Sequence, residues 1–160
     1  MAYNSAKQGW YSVNNPDKVI KPADNYMKSS IIEENVIKLN YKSSLELKAF
    51  RYCDMNKYVV RYGIEPFAVK YLKPTTGKIH RYFVDLFIEF ENSQKFLVEI
   101  KSFAETIEPK KPQRKTEKSL LNYQRALQTF AINTAKWKAA EAFALEKGLK
   151  FIILTERELK

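Results

Sequence analysis

The chain has 160 residues, 45% hydrophobic and 29% charged, which is enough for one compact domain with its own core and too apolar for a disordered segment. A formal net charge of +10 points to a polyanionic partner, nucleic acid ahead of an anionic membrane, against the plainer alternative of a basic protein with no such partner. One cysteine and one histidine exclude an internal disulfide, a multi-cysteine zinc site and most histidine-rich metal sites; no apolar run approaches the roughly 20 residues of a membrane helix, and MAYNSAKQGWYS is no secretion signal, so a cytoplasmic protein is expected.

Residues 1–40 are punctuated by Gly9, Pro16 and Pro22 among Asn14, Asn15, Asp17, Asp24 and Asn25. This predicts an irregular N-terminal extension with a short helix near Ser30 to Ile37, pinned by Trp10 and Tyr11 onto a domain spanning 41–160. Ser43-Ser44-Leu45-Glu46 fits a capping box, in which the serine hydroxyl and the glutamate carboxylate satisfy orphan amides at a helix start. The helix should fade near Asp54 to Asn56, with Cys53 as a core thiol on its apolar side.

Strand signals follow. Tyr58 to Tyr62 is β-branched and aromatic, Pro66 to Leu72 gives a second strand, and Pro74-Thr75-Thr76-Gly77 reads as a turn. Ile79 to Phe90 and Phe96 to Lys101 complete an antiparallel meander, with a tight turn at Glu91 to Gln94. A polar loop over 102–116 carries Lys110, Lys111, Arg114 and Lys115 between Pro109 and the next helix. That helix spans about Glu117 to Lys147, stops at Gly148, and leads into a buried strand at Lys150 to Leu154. The order helix, strands, helix, strand predicts an α/β domain with a mixed sheet flanked by helices.

Two of these apolar strands carry charge. Glu99 and Lys101 are two apart and share a face with Leu97, while Phe96, Val98 and Ile100 take the other. Asp85 shares a face with Phe83 and Phe87; His80, at odd spacing from it, does not. One family of hairpin registers brings Asp85 and Glu99 to the same face. Two neighbouring carboxylates repel unless a cation lies between them, and magnesium suits such hard oxygen donors, completing its shell with a carbonyl, water and phosphate. Lys101 beside them would orient the attacking water and offset charge on a phosphorane, a set suited to phosphodiester hydrolysis. The competing reading is an ion pair within the sheet. Burying a charge is costly unless it is paired or metal-bound, and an acid set between Tyr-Phe-Val and Leu-Phe-Ile favours the catalytic reading.

Asp85 followed by Glu99-Ile100-Lys101 resembles the D…ExK signature of the PD-(D/E)XK nuclease superfamily, with Val84 where a proline is usual. Five blocks narrow the likeness: Tyr41 to Glu46, Arg51 to Asp54, His80 to Asp85, Asn133 to Ala140 and Phe151 to Glu156. In this order they resemble the head completion nucleases of contractile-tailed phages, which are similar to the TnsA-type transposon endonucleases. The Asn14-Asn15-Pro16-Asp17-Lys18 stretch resembles that family's N-terminal Asn-Pro-Lys segment.

The resemblance implies a restriction-endonuclease-like core and a magnesium-dependent DNA endonuclease, with manganese as a substitute. It also implies a catalytic set of Glu46, Asp85, Glu99 and Lys101, with metal ligands from Asp85, Glu99 and the Ile100 backbone. Lys136 is implied as a phosphate contact and Gln124 as a possible neighbour. Arg81, Lys110, Lys111, Arg114 and Lys115 are the remaining expected DNA contacts; the loop cations could instead dock an acidic protein surface. By resemblance the protein acts in host cytoplasm or virion, with DNA and phage portal or head–tail connector proteins as partners and no membrane. Two alternatives stand beside this: a structural head-completion protein that leaves the nuclease site unused, and a host restriction or transposition nuclease.

Overall fold

The computed structural model describes residues 8–20, 30–33 and 35–160. Pro22, Asp24 and Asn25 lie outside the described residues, as do residues 1–7 of the N-terminal stretch. Among the described residues no helix is long and apolar enough to cross a membrane.

The N-terminal region is more regular than its punctuation predicts. Strands β1 (Gly9–Ser12), β2 (Ser30–Glu33) and β3 (Val36–Tyr41) form an antiparallel sheet in the order β1-β3-β2. The helix expected near Ser30 to Ile37 is therefore replaced by two paired strands. The physical reason is a period of two: Ile37 and Leu39 are buried while Val36 and Lys38 face outward. The boundary between residues 40 and 41 falls inside β3.

Helix α1 (Ser44–Met55) begins as the capping signal predicts, with Ser43 Oγ accepting from the Glu46 amide at 3.2 Å. Its far end is held by the N-terminal segment. Lys18 Nζ donates to the carbonyls of Asn56 (2.7 Å) and Asp54 (3.0 Å), placing a cation where the helix dipole favours one. The buried Asp54 carboxylate accepts from the Tyr11 hydroxyl at 2.5 Å and from the amides of Asn14 and Asn15 at 2.8 and 2.9 Å. The Asn14–Lys18 stretch is thus a clamp on the C-terminus of α1.

The central sheet has the order β4-β7-β8-β9, from β4 (Val59–Ile64), β7 (Leu86–Phe90), β8 (Lys95–Ile100) and β9 (Lys150–Leu154). Its pairs are antiparallel except β8 with β9, which are parallel and joined through α2 (Glu117–Glu146). The mixed sheet expected from the element order is present. Alternation along the strands divides the core in two: Leu86, Ile88, Val98 and Ile100 pack with α1, and Leu97 packs with Ala140 and Ala144 of α2. Helix α2 ends in a Schellman motif, with Leu149 N–H on Ala144 O (2.8 Å), Gly148 N–H on Leu145 O (3.2 Å) and Gly148 at φ 73°.

The single meander strand Ile79 to Phe90 is not what forms. The chain breaks at Val84–Asp85, separating β7 from β6 (Lys78–Phe83), which pairs with β5 (Ala68–Lys73) in a separate two-stranded ribbon. Glu65 sets the break: at φ 45° it turns the chain out of β4, and its amide donates to Asp85 O at 2.9 Å. Pro66, lacking a donor, stays outside β5.

Candidate active site

Leu86 faces Val98 across the β7–β8 pair, so the next step along each chain sets Asp85 opposite Glu99. Of the two register families, the hairpin adopts the one that brings the acids together. Leu97 is on the α2 side, and Glu99 and Lys101 follow it by alternation. Asp85 Oδ2 accepts from the Ile100 amide at 2.8 Å. Glu99 is 4% exposed; its Oε1 lies 3.7 Å from Lys101 Nζ and its Oε2 accepts from the Tyr82 hydroxyl. Lys101 is fixed at the end of its strand by its amide on Leu154 O, at 3.1 Å.

Glu46 reaches this region from the first turn of α1. It lines a small cleft with Asp85, Lys42 and Glu65. Its Oε2 accepts from the Lys42 amide at 2.7 Å, not from the Ser43 amide that a full capping box would use. Ser43 caps the helix without it, and the carboxylate stays in the cleft. Lys42 Nζ bridges to Glu65 at 2.7 Å across the mouth.

All three acids are pushed above the usual carboxylate range. Burial does most of this for Asp85, and Glu99 then Glu46 add repulsion against the Ile100 amide and Lys101. Burial also raises Glu99, opposed by the Tyr82 hydroxyl, Lys101 and Lys136. Glu46 rises through burial, opposed by the Lys42 amide. The nearby cations and dipoles therefore leave part of the negative charge unbalanced.

Among the described residues no three or more His, Cys, Asp or Glu side chains converge closely enough to cage a metal ion. Asp85 and Glu99 nevertheless form a donor pair of the kind magnesium accepts, since it keeps several waters and takes phosphate oxygens. Their raised protonation range is what an opposing divalent charge would relieve. The chemistry of the donor set fits the ion, with Glu46 bordering the cleft that Asp85 lines.

The other expected residues divide. Lys136 joins the site: its Nζ lies over the rings of Tyr82 and Tyr71, 5.4 and 5.7 Å from their centres. Arg81 is exposed on β6, directly opposite Lys70. Lys110, Lys111, Arg114 and Lys115 are exposed between the 3-10 turn Phe103–Thr106 and α2. Gln124 is exposed on α2, roughly 18 Å along the helix from Lys136. The ring of His80 lies against Tyr71, with 6.1 Å between centres, rather than among the acids. Cys53 is a core thiol that burial pushes up, away from reactivity.

Two members of the cluster are not expected from the sequence. Tyr82 sits at odd spacing from Asp85, which in one continuous strand would put it on the opposite face. The break at Val84–Asp85 resets that alternation and turns Tyr82 toward Glu99. The Trp137 indole nitrogen is buried without a hydrogen-bond partner beside this carboxylate; its only signal was its place next to Lys136.

Comparison with known proteins gives a family match and a relative. Residues 56–156 match the family model described as TnsA-like endonuclease N terminal, a span that contains Asp85, Glu99 and Lys101. The chain is also 36% identical, over 123 residues, to the head completion nuclease of Enterobacteria phage T4, covering 77% of this chain and 82% of that protein.

Proposed function

The chain belongs to the TnsA-like endonuclease family, and from that premise we propose that it is a magnesium-dependent DNA endonuclease acting in phage head completion, processing packaged DNA before tail joining. The fold is of the PD-(D/E)XK type. The observation that carries the reading is Asp85 set opposite Glu99, with Lys101 Nζ 3.7 Å from the Glu99 carboxylate.

In this reading Asp85, Glu99 and the Ile100 backbone would hold the ion, which supplies a more acidic bound water and offsets charge on the phosphate. Asp85 is oriented by the Ile100 amide, so its second oxygen is left for the site. Glu99 is held from one side by Tyr82, leaving Oε1 toward Lys101. Lys101 donates to the attacking water or to a scissile phosphate oxygen, and its ammonium opposes the charge that grows there. Glu46 accepts a proton from water at the mouth of the cleft. Arg81, Lys136 and the loop cations Lys110, Lys111, Arg114 and Lys115 hold the flanking phosphates, a contact that carries no base information.

The test is nicking of supercoiled plasmid with magnesium or manganese present. Asp85→Asn and Lys101→Ala are expected to abolish cutting with the fold intact; cutting at the parent rate by both variants would refute the assignment. The alternative is a structural head-completion protein that binds DNA or a portal or connector protein and leaves the nuclease site unused. Normal infectious particles assembled with the Asp85→Asn protein would support that role instead. Action in host cytoplasm or in the assembled particle follows from either reading.

A further inference from the structure

The β5–β6 ribbon starts at the active site and leads away from it. Its base is joined through Val84 to Asp85, and its turn at Pro74–Gly77 lies about 20 Å away at the usual strand rise. One face is committed to the fold: Val69, Tyr71 and Tyr82 are buried with Ala140 and Ala144 of α2. The ribbon is therefore a fixed platform and not a loose flap.

Its other face is open. Leu72 and Ile79 stand directly opposite each other, 57% and 64% exposed. Beside them on this face Lys70 stands opposite Arg81, while Lys73 and Lys78, opposite each other nearer the tip, alternate onto the reverse face. Like charges directly opposite destabilise a strand pair, and an acid at either position would stabilise it. No Asp or Glu occurs from Ala68 to Phe83. Among the described residues none of the four cations has an ion-pair partner. An unrelieved cation pair beside an exposed apolar pair, with a second cation pair on the reverse face at the tip, is complementary to a regular polyanion with apolar groove walls. A two-stranded ribbon also has the width that the DNA major groove admits.

We propose that the β5–β6 ribbon is a docking arm for duplex DNA, with Leu72 and Ile79 against the groove, Lys70 and Arg81 on the phosphates beside them, and Lys73 and Lys78 adding positive charge at the tip from the reverse face. This deepens the nuclease reading and rests on it, because the arm holds the duplex at a set distance from Asp85. Leu72 and Ile79 offer no hydrogen-bonding groups, so the arm grips without reading sequence.

The test measures binding of a fluorescent duplex of about 20 base pairs in chelator, using Asp85→Asn protein so that no cleavage intervenes, across a salt series. Lys70→Ala with Arg81→Ala should weaken binding about tenfold near 100 mM salt and reduce the log–log salt slope by about 2. Leu72→Ser with Ile79→Ser should weaken binding several-fold and leave the slope unchanged. Lys70→Glu separates docking from folding: relief of repulsion from Arg81 keeps or raises Tm while affinity falls. Ribbon variants that bind with the parent's affinity and slope overturn the proposal and point to a protein partner on this face; so does an Asp85→Asn protein that does not bind the duplex. A protein that binds in this pattern but never nicks plasmid sustains the arm and removes the nuclease reading.

Discussion

The Tyr82 hydroxyl donates to Glu99 Oε2 from a different sheet: Tyr82 stands on the β5–β6 ribbon and Glu99 on β8 of the central sheet. The contact ties the ribbon to the acid pair, with Lys136 over the Tyr82 ring and the Trp137 indole beside the same carboxylate. Glu99 therefore has one oxygen fixed while the other faces Lys101.

Tyr82→Phe removes that donor and keeps the ring. Groups that orient a metal-binding side chain typically cost 10–100-fold in metal affinity or activity, so a loss of about that size in nicking is expected. The magnesium concentration for half-maximal rate should rise. The hydroxyl opposes the upward shift of Glu99, so its removal raises the Glu99 pKa further and moves the acid limb of the pH–rate profile to higher pH. An unchanged limb and magnesium response would show the contact to be structural only.

Asp85→Asn should trade activity for stability. In chelator it removes a buried charge that Glu99 and Glu46 repel, while the amide oxygen can still accept from Ile100. A gain of about 1 kcal/mol, or about 2–4 °C in Tm, is expected. Magnesium should then raise the Tm of the parent and not of the variant. Thermal melts with and without the ion check both halves.

The N-terminal clamp predicts an acid-sensitive contribution to stability. Burial alone would raise the Asp54 pKa, but the Tyr11 hydroxyl and the Asn14 and Asn15 amides outweigh it and hold the group below its ordinary value of 3.8. The stabilisation is therefore complete above that value and disappears as pH falls through the lower folded-state pKa. Asp54→Asn should cost about 2–3 kcal/mol at neutral pH. Denaturant titrations should show this difference shrinking below pH 3.8.

Replacing Lys110, Lys111, Arg114 and Lys115 together by Ala tests the loop. If all four meet phosphates, the slope of log K against log salt should fall by about 3–4. Salt titration of duplex binding measures it. An unchanged slope would assign these cations to a protein surface.

What could be read from sequence was local. Ser43 announces the start of α1, and Gly148 its counterpart at the end of α2, because capping depends on a few adjacent residues. The β7–β8 hairpin was equally legible: its turn closes with Phe90 N–H on Gln94 O at 2.9 Å, and alternation then places Glu99 with Leu97. The division of β6 from β7 was not legible, since it depends on Glu65, distant in sequence, and its bond to Asp85 O. Tyr82 was lost with it. Strands β2 and β3 were hidden because β2 takes its pairing from β3, and β3 from β2 and β1. Asp54 resembled an ordinary helix-end acid until Tyr11 and Asn14 were brought to it.

The parallel pairing of β8 with β9 has a consequence during synthesis. Until residues 150–154 leave the ribosome, the strand bearing Glu99 is a bare sheet margin, and Lys101 lacks the Leu154 carbonyl that fixes its backbone. Residues 150–154 must therefore be made before the acid pair and Lys101 take their final places, so a shorter nascent chain holds the pair on an unsupported margin.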